Sequence, residues 1–359
     1  MPTQLFFCHK PHAPLIASGM SSQADPTTSA PADICPPRPV RVHTGGPERI
    51  KPEAPLIDAL DGDARRQFQV LDHGFVALVD VMPRLIPAGQ TADQAIVQAA
   101  RVSYGQGTKK ISEDQGLIRY LLRHRHTTPF EMVEFKFHIA MPIFIARQWI
   151  RHRTANVNEY SGRYSVMPDR FYRPTLEQVR KQSTSNRQGG TQTFIPHNGQ
   201  ADAETQKSPE HLTAQAFVEF LAQSEALYAK YRDLVDRGVS REMARIGLPV
   251  SLYTEWYWKI DLHNLLHFLS LRMDPHAQEE IQAYARAMHD LVEPIVPTTM
   301  QAWRDYTLGS TRLSRLELDA LKAEIAHLRV NNTSTPTPLP TDNKREQAEW
   351  DAKRTALGL

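Results

Sequence analysis

Two stretches more than a hundred residues apart, EFKFHIAM (134–141) and LYTEWYWKI (252–260), alternate apolar and polar side chains. In the first, Phe135, Phe137, Ile139 and Met141 alternate with Glu134, Lys136, His138 and Ala140. In the second, Leu252, Thr254, Trp256, Trp258 and Ile260 alternate with Tyr253, Glu255, Tyr257 and Lys259. A two-residue period puts each set on one face of a strand, so both segments read as strands with one buried face. The chain must therefore supply elements to cover an apolar sheet face, and its helical signals do so. Thr91 with Gln94, and Ser112 with Gln115, have capping-box spacing before apolar stripes, which predicts helices over about 92–103 and 113–125. Pro142 suits the first turn of a helix continuing through IFIARQWIRHR, Asp261 can cap the helix LHNLLHFLSLR, and Asp274 followed by Pro275 opens another. Strands separated by helical pairs, without regular strand-helix-strand repetition, give an α+β fold rather than a doubly wound sheet.

The ends of the chain read differently. Of 26 prolines in 359 residues, 11 fall in residues 2–55 among Ser, Thr, Ala and Gly, so residues 1–65 read as a disordered arm that cannot offset its own ordering entropy. Cys8 and Cys35, both cysteines of the chain, lie in that arm. The folded body, 66–312, thus has no cysteine nucleophile, and two thiols are too few for a disulfide framework. Residues 176–210 read as a polar surface insertion in the body. Residues 313–359 read as a short amphipathic helix, marked by Leu318, Leu321, Ile325 and Leu328, followed by a polar tail. A net charge of +2 argues against a dedicated nucleic-acid binder. No stretch approaches the roughly 18 apolar residues of a membrane span, and MPTQLFFCHK has no secretory pattern, so a soluble cytoplasmic protein is expected.

Three constellations can carry chemistry. The first is RQWIRHRTANVNEYSGRYS (147–165): helical spacing puts Gln148, Arg151 and His152 on one face, and Asn156, Asn158, Ser161 and Gly162 favour an irregular loop after them. Arginine forks grip phosphate bidentately, and the interleaved Trp149, Ile150, Tyr160 and Tyr164 favour a half-buried polar site over a solvated charge run. The second is His263, His267 and Ser270, with Arg272 and His276 beyond; a satisfied pair, an organic ligand and, lacking a third ligand or the HExxH glutamate, a metal all remain open. The third is HRHTTPFE (124–131), where a turn is expected from Thr-Thr-Pro. Read alone, the charges also allow a nucleic-acid module using Arg151, Arg153 and Arg163, and the histidines a metal hydrolase using His263 and His267.

Taken together, these blocks resemble the flavin-dependent thymidylate synthases. RHRTANVNEYSGRYS is similar to that family's signature of Arg-His-Arg, seven residues and Ser, met by Arg151, His152, Arg153 and Ser161. HRHTTPFE, ARVS (100–103), SREMARIGLP (240–249) and NLLHFLSLRMDPHAQEEI (264–281) resemble its other blocks in the same order, across about residues 70–306. The resemblance implies an α+β fold with mixed helices on an antiparallel-rich sheet. It implies a homotetramer with shared active sites that converts dUMP to dTMP, with 5,10-methylenetetrahydrofolate giving the carbon, FAD relaying the hydride and NADPH reducing the FAD. No nucleic acid, membrane or metal enters that reaction. It puts Gln148, Arg151, Glu159, Ser161, Gly162, Arg163, Arg245 and Arg272 on the nucleotide. Thr128, Arg151, His152, Arg153, Glu159, Asp261, Leu262, His263 and His267 fall at FAD, with His126 near the flavin ring. Asn156, Asp261, His263 and His267 depart from the residues usual in the family. Arg272, Ser161 and His126 carry the catalytic roles. Uracil C5 is a poor nucleophile until the ring gains negative charge, which conventional synthases achieve with a cysteine on C6. This body has none, and Arg272 at the uracil edge would instead stabilise the anion left when N3 loses its proton.

Overall fold

The computed structural model describes residues 67–84, 86, 89–102, 114–184, 189–195, 207–329 and 341–358. All belong to one unit, 47–359. The expected arm, with Cys8 and Cys35, lies outside the described residues, as does Ser112. In chain order the elements are β1 (Gln67–Val70), β2 (Gly74–Met82), α1 (Asp93–Arg101), α2 (Asp114–Arg123), α3 (Thr128–Glu131), β3 (Glu134–Pro142), α4 (Ile143–Trp149) and β4 (Asn156–Glu159). There follow β5 (Arg180–Gln182), β6 (Gly190–Thr193), α5 (Pro209–Glu225), α6 (Leu227–Asp236), α7 (Arg241–Ala244), β7 (Tyr253–Asp261) and α8 (Leu262–Arg272). The chain closes with α9 (Glu279–Val292), α10 (Pro297–Trp303), α11 (Arg315–Arg329) and α12 (Lys344–Leu357).

The two alternating segments are β3 and β7, and they pair with each other at the centre of an antiparallel sheet ordered β1-β2-β3-β7-β4. Their register sets Phe135 against Ile260, Phe137 against Trp258 and Ile139 against Trp256. All six are buried and meet α4, α8 and α9 in the main core. Trp149 at the end of α4 is fully buried there, with ring centroids 5.3 Å from Trp258 and 4.8 Å from Phe268. On the other face His138 stacks on Tyr257 at 4.8 Å. The α+β reading therefore holds. Among the described residues no helix is long and apolar enough to cross a membrane.

Several local expectations need correction. The helix from Ile143 stops at Trp149, with Pro142 as the last strand residue and N-cap, so Arg151, His152 and Arg153 are not helical. Of the segment read as an irregular loop, Ser161 and Gly162 do lie in a turn, but Asn156–Glu159 before them is β4, paired to β7 from Asn156↔Lys259 to Glu159↔Trp256. A free sheet edge gives these backbone groups partners, which outweighs the turn preference of two asparagines. Thr91 does not cap α1; its hydroxyl bonds the Asp93 carboxylate, and Ala92 is the N-cap. Asp274 accepts the His276 amide at 2.8 Å in a turn, and α9 starts only at Glu279. Residues 176–210 contain the β5–β6 hairpin and the start of α5, while the polar end of the chain contains α12.

α12 is held by charge rather than by an apolar stripe. The Glu346 carboxylate, 4% exposed, accepts from Arg119 Nε at 2.7 Å, Tyr306 Oη at 2.6 Å, Thr341 Oγ1 at 3.1 Å and Arg123 Nη1 at 3.3 Å. Glu349 accepts from Arg123 Nε at 2.5 Å. Removing Glu346 takes away the buried carboxylate shared by both guanidinium groups and Tyr306, leaving Arg119 only the exposed Asp305 and Arg123 only Glu349 among carboxylates, at about 3 kcal/mol. Glu346→Ala should lower the urea unfolding free energy by roughly that amount, whereas Asp319→Ala, which breaks an exposed pair with Arg315, should cost under about 0.5 kcal/mol. Equal, small losses for both variants would show that α12 is not docked.

Candidate active site

β7 runs directly into α8, and Asp261 makes the join: its carboxylate accepts from the Asn264 backbone N–H at 2.9 Å and from Asn264 Nδ2 at 2.7 Å. Leu262, Leu265, Leu266, Phe268 and Leu269 bury one side of α8, leaving His263 half-buried and His267 exposed on the other. Ser270 is structural, since its hydroxyl donates to the Leu266 carbonyl at 2.8 Å and accepts from Trp303 Nε1 at 3.1 Å. Arg272 ends the helix, where a cation suits the partial negative charge of the free carbonyls.

After α4 the chain turns back over α8. The Arg151 and His152 amides reach the Gln148 and Trp149 carbonyls at 3.4 and 2.9 Å. The turn lays the His152 ring edge-on to Phe268 at 4.8 Å and 6.2 Å from His267. Arg272 Nε donates to His152 Nε2 at 3.0 Å. Burial first, then the positive charge of Arg272 and the neighbouring His267, push the His152 imidazole down to about 4 from the usual 6.5. Burial alone lowers Arg272 from the usual guanidinium range. An unfolded His152 takes up a proton below about pH 6.5, whereas the folded one does so only near 4. Its contribution is thus fully present above 6.5, lost as the pH falls between those values, and constant below. Wild type should lose more stability than His152→Gln between pH 7 and 4.5 in urea titrations; parallel loss would remove His152 as the titrating group.

Gln148 and Arg272 line a cavity of about 1000 Å³. The Gln148 amide donates to the Gln278 side-chain oxygen, and Tyr172 Oη donates to Glu280 at 3.1 Å. The outer wall comes from the β5–β6 hairpin and α5, through Arg180, Phe194, Phe217 and Phe220, with Arg180 paired to Glu279 at the start of α9. These wall residues carry no local sequence signal: they meet only because the hairpin folds over the α8–α9 turn.

A second group forms beyond β4. Glu159 accepts from Thr254 Oγ1 at 2.8 Å, and a tight turn follows in which the Tyr164 and Ser165 amides reach the Ser161 carbonyl at 3.2 and 3.1 Å. The Arg163 amide donates to Ser161 Oγ at 3.3 Å, and its Nε to Glu242 at 3.1 Å. Gly162 is buried against Arg245; a Cβ there would lie 3.0 Å from Arg245 Cδ and 2.8 Å from Met167 Sδ. Ser161, Gly162, Arg163 and Arg245 therefore gather together, but they are not among the residues lining the cavity. The third group, His126 and Thr128, is exposed where α2 gives way to α3, and α3 packs on α8. Here the reversal is made by Arg125, at φ 58°, with the His126 amide on the Leu121 carbonyl at 2.9 Å. Thr128, expected to avoid helix before proline, is instead the first residue of α3.

An anionic dinucleotide such as FAD needs unpaired cations and donors on one accessible surface. Arg151 and Arg153, exposed and with no side-chain partner among the described residues, flank His152, whose ring lies 6.2 Å from that of His267, one turn after His263 on α8. This donor set fits the group. Asp261 is used by its helix cap, while Leu262 is fully buried with its amide on the Val133 carbonyl at 2.8 Å. Among the described residues no cluster of three or more His, Cys, Asp or Glu could hold a metal ion.

A family model described as "Thymidylate synthase complementing protein" matches residues 84–298. The chain is 56% identical over 310 residues to a flavin-dependent thymidylate synthase of Dictyostelium discoideum, spanning 86% of this chain and 93% of that one. It is 49% identical over 276 residues to one of Gluconobacter oxydans, spanning 76% and 84%. Among solved structures, a UMP/dUMP methylase PolB from Streptomyces cacaoi bound with 5-Br UMP is similar with a TM-score of 0.52 and 31% identity, over 66% of this chain and 96% of that chain.

Proposed function

Since the chain belongs to the flavin-dependent thymidylate synthase family, we propose that this enzyme methylates dUMP to dTMP, with 5,10-methylenetetrahydrofolate as carbon donor, FAD as hydride relay and NADPH as reductant. The observation that carries the reading is Arg272: a half-buried guanidinium in a large cavity beside Gln148, in a body whose sequence holds no cysteine. Without a thiol to add to C6, the ring must be activated by charge. Arg272 meets the anion left when N3 loses its proton, and a cation fixed in a site of low dielectric stabilises that charge far more than water does. Ser161, the Gly162 amide, Arg163 and Arg245 suit the phosphate, doubly charged near neutral pH, because only a residue without a side chain lets Arg245 approach that turn. Glu159 and Arg151 complete the nucleotide set.

FAD, when bound, accepts a hydride from NADPH and delivers it to the one-carbon unit. Arg151, Arg153, His263 and His267 would hold its charged part, with Thr128 and His126 towards the ring. The nucleotide residues fall into two groups in one chain, with Gln148 and Arg272 in the cavity and Ser161, Gly162, Arg163 and Arg245 outside its lining. That separation supports a homotetramer in which one subunit's Ser161 turn completes another's cavity. A test is growth without thymidine of a bacterial strain that lacks its own thymidylate synthase. The wild-type gene should restore growth and Arg272→Ala should not; no growth despite soluble, flavin-loaded wild-type protein would contradict the reading.

A further inference from the structure

Arg272 is assigned work that depends on where its guanidinium points, yet an arginine at a helix end has four side-chain torsions and roughly 2 kcal/mol of rotamer entropy to lose. Something has to hold it. Among the described residues no carboxylate pairs with Arg272, and its one side-chain hydrogen bond is the 3.0 Å contact from Nε to His152 Nε2. The chemistry of that partner matters. A carboxylate would fix the guanidinium but cancel the charge needed by a uracil anion. An imidazole nitrogen accepts one N–H and leaves the charge intact, with the other four N–H groups of the guanidinium unused. The contact requires a lone pair on Nε2, hence the tautomer with the proton on Nδ1. The ring is itself fixed, by its backbone amide on the Trp149 carbonyl at 2.9 Å and by its edge contact with Phe268 at 4.8 Å. Phe268 lies one turn before Arg272 on α8, so a single rigid helix carries both the ring's packing partner and the group the ring holds.

We propose that His152 is a positioning residue for Arg272, its Nε2 fixing the guanidinium while leaving the charge and the remaining N–H groups for the pyrimidine. This rests on the reading of Arg272 as the group that activates dUMP. It differs from a role of His152 in holding the cofactor, because the contact is to the substrate side of the site.

Double-mutant kinetics on the full-length, FAD-loaded enzyme test it. His152→Ala should lower kcat for dTMP formation roughly tenfold, the scale of one lost hydrogen bond to a charged group, with dUMP KM and FAD affinity within about threefold of wild type. His152→Gln, whose amide oxygen can accept from Nε, should recover most of the rate. His152→Glu also accepts but neutralises Arg272, and its kcat should fall at least as far as that of the alanine variant. In an Arg272→Ala background, His152→Ala should add less than about twofold. Three results would each overturn the proposal: full additivity in that background, equal kcat for the Gln and Glu variants, and a rate loss that follows FAD affinity. If His152→Ala does not fold, the Gln and Glu pair carries the test. An unchanged kcat for Arg272→Ala alone would overturn it too, and would place the fault in the reading of Arg272.

Discussion

Arg272→Ala is expected to fold, bind FAD and accept electrons from NADPH, yet to form dTMP roughly 10² to 10³ times more slowly than wild type. The magnitude is that of one charge-stabilising donor removed from a preorganised site, about 3 kcal/mol. The loss should appear in kcat, because the uracil anion exists only after dUMP is bound; loss of uniform binding would instead raise the dUMP KM and leave kcat nearly intact. Arg272→Lys should restore part of the rate, since lysine keeps a charge but neither the planar fork nor the reach to His152 through a fixed N–H. Steady-state assays alongside the flavin half-reaction separate the possibilities. A kcat within twofold of wild type for the alanine variant would remove Arg272 from the mechanism, and loss of FAD binding in parallel would reassign it to the cofactor.

The second large effect concerns the fold. Gly74 opens β2 where β1 turns into it, and a Cβ there would stand 2.1 Å from Tyr284 Oη, 2.6 Å from the Val70 carbonyl and 2.8 Å from the Ala140 carbonyl. The Val70 and Ala140 carbonyls are backbone atoms of the strands on either side, β1 and β3, and cannot retreat without opening the sheet. Tyr284 cannot retreat without giving up its buried hydrogen bond to the Ala140 carbonyl at 2.9 Å. Overpacking of about 2 kcal/mol and an unsatisfied buried group of about 2 kcal/mol together give about 4 kcal/mol for Gly74→Ala. Gly247→Ala, with nothing within 4 Å of its Cβ, should stay within about 0.5 kcal/mol of wild type. Urea unfolding of the two variants gives the contrast, and a Gly74→Ala chain as stable as wild type would mean that β2 does not sit as described.

What the sequence disclosed followed from period and residue type. Phe135 to Met141 and Trp256 to Ile260 announced the two central strands because one face of each is buried, and Asp261 announced α8 because a carboxylate before an apolar run caps it. What stayed hidden was non-local. Asn156 and Asn158 carry turn chemistry, and only the free edge of β7 makes them a strand. α12 shows no apolar stripe because buried Glu346 ties it to Arg119 and Arg123, more than two hundred residues earlier. The motif blocks named Gln148, His152, Ser161 and Arg272 together, but spacing could not reveal that Arg272 meets His152 while Ser161 gathers with Arg163, away from the cavity lining. Nor could it find the wall formed by Arg180 and Phe194, which lie in a stretch read as a polar surface insertion, and by Phe217 beyond it in α5.

The most direct test of charge-activated, flavin-dependent methylation is an anaerobic single turnover: FAD-loaded enzyme reduced by one equivalent of NADPH, mixed with dUMP and 5,10-methylenetetrahydrofolate, then quenched for nucleotide and folate products. The expected result is one dTMP for each flavin reoxidised, with the folate released as tetrahydrofolate, because the hydride reaches the one-carbon unit from the flavin and not from the folate ring. Formation of dTMP in equal amount with dihydrofolate, or at the same rate without flavin, would contradict it.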